Sequence, residues 1–238
     1  MSSATRSAGT QRPTRFVVGI DLGTTNSSVC YVDTEGEPGP RQFAIPQLVA
    51  AGEVGAGELL PSFCYLAGTA ELPAGALELP WDRQADHAVG VFARIQGAAI
   101  PERLVASAKS WLAHAGVDRT RGILPWGSEL GGQMVSPVAV SARYLGHIRS
   151  AWDHAFSHLR DREGTPCVLA EQQVVLTVPA SFDEVARQLT LDAASQAGLG
   201  QVVLIEEPLA AFYSWLWHHE ADWRSLVDEN ETILVVDV

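Results

Sequence analysis

FVVGIDLGTTNSSVCYV, residues Phe16 to Val32, is the stretch whose reading decides the fold. Val17, Val18 and Ile20 lead into Asp21, and Val29, Tyr31 and Val32 lead away, so two β-prone runs flank a short LGTTN turn. Gly23 lets the backbone approach a ligand. The N–H groups and hydroxyls of Thr24, Thr25 and Asn26 can converge on phosphate oxygens, and Asp21 can face a magnesium ion from the strand end. The spacing is neither the GxxxxGK[ST] of a Walker loop nor the GxGxxG of a dinucleotide fold, and a strand follows it rather than a helix. An ordinary hairpin shares the same local pattern, so residues far along the chain must decide.

Working outward, 238 residues suffice for a core that removes about 70–75% of the unfolded surface from water. A formal charge of −12 and a pI near 4.9 argue against nucleic acid and anionic membrane as main partners, because phosphate backbones attract basic faces. Phosphate binding must then be local, through amides and a metal. Cys30, Cys64 and Cys167 are odd in number, far apart and outside any CxxC, which predicts buried thiols in a reducing, cytoplasmic setting. No apolar run approaches the roughly 20 residues that span a bilayer. Residues 1–14 lack the apolar centre of a signal peptide and read as a disordered tail. Lys109 is the only lysine, an imbalance that looks like genomic composition.

After the hairpin, TEGEPGP is turn chemistry and Arg41–Ile45 is expected as a third strand. Residues 46–132 read as an inserted outer subdomain, rich in Gly, Ala and Pro. Within it LPSFCYLAG suggests a strand, and Val89–Ile100 and Pro101–Gly116 suggest helices, the second with Leu104, Ala108, Trp111 and Leu112 on one face. A long helix follows, capped by Ser136 with Pro137 at its first position and a core face of Val140, Tyr144, Ile148, Trp152 and Phe156. His154 and His158 on it are expected to form a solvated face, since no third ligand accompanies them. Gln172–Val178 reads as a buried strand ended by Pro179. Ser181 and Glu184 form a capping box, opening a helix with Phe182, Val185, Ala186, Leu189, Ala193 and Ala197 inward and Gly198 as its stop. Val202–Ile205 is the next strand, Glu206-Glu207-Pro208 a turn, LAAFYSWLW a helix, and Ile233–Asp237 a last strand. These alternating elements imply a parallel sheet covered on both faces. Together they give an α/β core, residues 15–45 and 133–238, of order βββαβαβ, interrupted by an α+β insert.

That order, with aspartates ending the first and last strands, resembles the ribonuclease H-like (actin-like ATPase) fold. VGIDLGTTNSSV, LPSF, ASAKSWL, VVLTVPASFDEVARQLTLDAASQAGL and LIEEPLAAF are similar to successive segments of the heat-shock protein 70 (DnaK-type) chaperones. The resemblance implies ATP or ADP with Mg2+ as cofactors. Asp21 would orient the ion through water, and Gly23, Thr24 and Thr25, with Asn26 beside them, would bind the phosphates. Glu207 and Asp237 would be the further carboxylates around the ion's water shell. It places the phosphate-contacting lysine of the family at Arg94, and a relay between nucleotide and peptide-binding domains at Pro179 and Arg187. Glu206 stands where the family has asparagine, setting two acids side by side, which repel unless a cation is present. The chain stops where the family's second phosphate turn should begin, so it reads as the first lobe of the ATPase domain, not competent in hydrolysis alone. Unfolded clients and co-chaperones would belong to the full-length form. A non-catalytic binding module, or a sugar kinase or actin-like member of the fold, are the competing readings.

Overall fold

The computed structural model describes residues 14–68, 72–228 and 230–235. Strands β1 (Phe16–Leu22) and β2 (Asn26–Asp33) pair antiparallel from Phe16↔Asp33 to Leu22↔Ser27, so the hairpin is as expected. β1 alternates with period two: Phe16, Val18, Ile20 and Leu22 are buried, while Asp21 is exposed. The third strand, β3, is only Arg41–Gln42. Phe43 and Ile45 turn their side chains into the core, and the chain leaves the sheet to form β4 (Ile45–Ala50) and β5 (Glu53–Gly57), a separate two-stranded ribbon.

LPSFCYLAG forms two strands rather than one. β6 (Leu59–Pro61) returns to pair with β2, and after Ser62 the strand β7 (Phe63–Leu66) joins β8 (His87–Val89) and β9 (Leu104–Ala106) in a three-stranded sheet. Residues 46–132 therefore lend one strand to the main sheet. Helix α1 (Val91–Ala99) lies where expected. The helix expected over 101–116 is instead a 3-10 turn at Pro101–Arg103, β9, and a short α2 (Ala108–Ala113). Leu104 and Val105 pair across to Tyr65 and Cys64, and Ser107 at φ 55° breaks the helical path between the pieces.

Helix α3 (Pro137–Phe156) starts as read: the Ser136 hydroxyl accepts from the Ala139 amide at 3.1 Å, and Pro137 needs no donor at the first position. It ends before His158, so His154 and His158 do not share a helical face; both are exposed, and no group of three metal-ligating side chains occurs among the described residues. Strand β10 (Gln173–Val178) runs parallel to β1. Helix α4 (Glu184–Gln196) is capped by Asp183, not by Ser181: the Asp183 carboxylate accepts from the Ala186 amide at 2.7 Å and pairs with Arg119. The carboxylate adds a negative charge at the positive start of the helix and opposite Arg119, which a neutral serine hydroxyl lacks. Val185, expected inward, is exposed, while Ala186, Leu189 and Ala193 are buried. Gly198 at φ 79° stops the helix.

β11 (Val202–Glu206) runs parallel to β10 and leads without a turn into α5 (Glu207–His218), followed by a short α6 (Trp223–Leu226). The main sheet has the order β11-β10-β1-β2-β3 with β6 beside β2. Residues 231–235 form no strand; Leu234 is 83% exposed and has no ladder to hold it extended, and the remainder of the expected Ile233–Asp237 strand lies outside the described residues. Helices α3 and α4 pack together over one sheet face. Trp152 anchors that layer, fully buried, with its ring 5.4 Å from that of Phe16 and its indole N–H donating to the Cys167 carbonyl at 3.0 Å. The other face is only partly covered: α5 has no buried residue.

Candidate functional site

The carboxyl ends of β1, β10 and β11 lie side by side, fixed by the parallel registers Ile20↔Leu176 and Val178↔Glu206. Open α/β sheets bind ligands at this edge, where strand ends release unpaired amides and side chains. Here the strand ends supply Asp21 and Thr177 and the first position of α5 supplies Glu207, and all three line one cavity of about 1050 Å3 together with Gly23, Thr24, Thr25, Asn26 and Lys109.

Asp21 is held by the Thr177 hydroxyl, which donates to its Oδ1 at 2.6 Å. The next residues bend sharply. A Cβ on Gly23 would sit 2.1 Å from the Asn26 carbonyl oxygen, so no other residue fits the turn without moving backbone. Thr24 and Thr25 are exposed at its tip. The turn is fastened from beneath by Ser62: its hydroxyl donates to the Gly23 carbonyl at 2.7 Å and its amide to the Thr25 carbonyl at 2.9 Å. Since that proton is committed, Ser27 donates to Ser62 Oγ, 3.1 Å away. Tyr144 on α3 then donates to the Ser62 carbonyl at 2.9 Å. Both Ser62 and Tyr144 are buried, and burial pushes the Tyr144 phenol well above its usual range, so it stays a donor.

Glu206 and Glu207 face different cations. Glu206 accepts from Arg187 Nη2 at 2.7 Å, and Arg187 also donates to the Phe182 carbonyl at 3.2 Å. Glu207, the first residue of α5, pairs with the ammonium of Lys109 from α2. A carboxylate there also faces the positive end of the helix, worth about 0.3–1 kcal/mol when exposed.

The family model described as Hsp70 protein matches residues 82–238. A chaperone protein HscA homolog of Methylococcus capsulatus (strain ATCC 33009 / NCIMB 11132 / Bath) is 34% identical over 86% of this chain and 29% of its own length. The chaperone protein HscA of Enterobacter sp. (strain 638) is 31% identical over 83% of this chain and 28% of its own. The chain belongs to the Hsp70 family. Its sheet and helices are those of the first lobe of the Hsp70 actin-like fold, and it spans about three tenths of the length of the curated relatives it matches.

Of the residues that the Hsp70 resemblance singles out, Asp21, Gly23, Thr24, Thr25, Asn26 and Glu207 share the cavity. Asp237 lies outside the described residues. Arg94 is exposed on α1 and does not line the cavity, and Pro179 follows β10 half-buried. Four participants escaped the sequence reading. Ser62 sits in the LPSF segment already singled out, and Lys109 was conspicuous as the only lysine. Thr177 and Tyr144 gave no local signal beyond strand and helix periodicity.

Proposed function

We propose that this chain forms the phosphate- and magnesium-binding wall of a DnaK-type chaperone ATPase. The carrying observation is that the Gly23–Asn26 turn and two carboxylates, one from the end of β1 and one from the start of α5, line a single cavity. Its donor set suits the ligand. Two oxygen anions, Asp21 and Glu207, match a hard cation that keeps most of its waters. The turn, closed against any Cβ at Gly23, offers backbone amides to phosphate oxygens. Magnesium, when bound, would neutralise charge on the phosphates, and phosphoryl transfer depends chiefly on such positioning and neutralisation. Asp21 orients through its Thr177 contact, and the threonines bind.

In the longer protein, ATP hydrolysis would be coupled to binding of unfolded polypeptide clients with co-chaperones, in the cytoplasm. Pro179 and Arg187 would relay between domains, a role supported by the Arg187–Glu206 ion pair immediately before Glu207. Asp237 would add a third carboxylate. The test is calorimetric titration of this chain with magnesium tripolyphosphate, the nucleotide tail without its base. Saturable binding, weakened by Asp21→Asn and abolished by Gly23→Val, is expected; absence of saturable binding in the unaltered chain overturns the reading.

A further inference from the structure

The cavity has an imbalance of charge. Its lining carries two acids, Asp21 and Glu207, and Lys109 is the one basic side chain among the described residues around it. A polyphosphate adds several negative charges, so one metal ion and the turn amides leave the outer phosphate facing carboxylates. Family resemblance would bring a cation from Arg94, yet that side chain is exposed on α1, outside the cavity.

Lys109 has the opposite character. It is the sole lysine of the chain, only 8% exposed, and it projects from the outer region to reach Glu207 on the core. Burying an ammonium is costly unless it is paired, and lysine is rarely found so deep otherwise. Its compact head carries three donors, so it can keep Glu207 and still direct a proton into the cavity it lines. A structural strap would serve equally well as arginine, the residue this sequence uses at every other basic position.

Resting on the phosphate-site reading, we propose that Lys109, in place of Arg94, is the cation that receives the outermost phosphate of the bound polyphosphate, with Glu207 as the carboxylate that aims it. The assignment moves the phosphate-contacting role to a residue on α2 and makes closure of the outer region onto the core part of ligand binding.

The single lysine permits a direct test on the unaltered 238-residue chain. Acetylation by an N-hydroxysuccinimide ester, read by mass spectrometry, has the N-terminal amine as internal control. Saturating magnesium tripolyphosphate is expected to slow modification of Lys109 about tenfold or more and leave the N-terminus unchanged. In parallel titrations Lys109→Met, which keeps the aliphatic stem, is expected to weaken binding about 10–100-fold, the range of a charge-assisted hydrogen bond, and Arg94→Ala to stay within about twofold. Lys109→Met/Glu207→Gln removes both charges and so separates a folding defect from lost affinity: it should melt near the unaltered chain and still bind weakly. Binding that Lys109→Met leaves intact, or Lys109 reactivity that the ligand leaves unchanged, overturns this proposal while sparing the site. No binding by the unaltered chain overturns the site reading and this proposal with it.

Discussion

The two faces of the main sheet differ sharply. Beneath it, Phe16, Val18 and Ile20 of β1 and Val174, Leu176 and Val178 of β10 are sealed by α3 and α4. Above it, Gly19, Asp21, Val175 and Thr177 look into the cavity, and α5 stands beside them with Leu209, Tyr213 and Trp217 exposed. One strand thus carries both jobs on alternate residues. Stability is concentrated on the sealed side, which leaves the open side free to be polar, tightly bent and partly uncovered.

The largest effect that could break this contrast is Trp152→Ala. Its ring is fully buried among Phe16, Phe43 and Phe156, and the truncation should cost about 3–5 kcal/mol in urea unfolding. A loss under about 1 kcal/mol would show that the sealed side does not dominate.

Next in size is acid sensitivity on the outward side of α3. His147 is buried, with Nε2 2.9 Å from the Pro46 carbonyl, beside the Trp81 ring and near His87. Burial holds its imidazole near a pKa of about 4 against an ordinary 6.5. Between these values the unfolded chain takes up a proton that the folded chain refuses, so stability falls as pH drops from 6.5 towards 4, by about 3 kcal/mol. His87 is also lowered, by burial first, and acts in the same direction. Urea melts at pH 7 and 4.5 should therefore show a smaller drop in His147→Gln than in the unaltered chain; equal drops would remove His147 from the account.

The smallest effect belongs to the open side. Trp217 on α5 is 49% exposed, and Trp217→Ser should change stability by less than about 0.5 kcal/mol. A loss near that of Trp152→Ala would mean that the two faces are equivalent after all.

The sealed side was largely legible because its signals are local. β1 announces itself by alternation, and α3 by Ser136-Pro137 and a side chain every four residues. Where two local patterns competed, the reading failed. Residues 101–116 have helical spacing, yet Leu104 and Val105 find partners on β7, a preference that depends on a strand some forty residues earlier. Asp183 takes the cap in place of Ser181 because the helix starts at Glu184, two residues later than the capping box implies, and Arg119, far back in the chain, pairs with the carboxylate there. The expectation that both sheet faces would be covered came from the alternation of strands and helices with continuous apolar runs, and hydrophobicity alone does not say what will lie on top of a strand. In the site, Asp21 and the turn were legible from their own residues. Their supports were not: Lys109 meets Glu207 across 98 residues, and Tyr144 meets Ser62 across 82.

Those supports bear on how such a loop could be moved between proteins. The bend from Asp21 to Asn26 does not own its shape; a serine from the outer segment grips two of its carbonyls, and a phenol from α3 grips that serine. Transplanting the hexapeptide onto a foreign hairpin would carry over the letters and leave the geometry behind. The smallest portable unit is the hairpin together with β6, the Ser62 that follows it and one turn of α3.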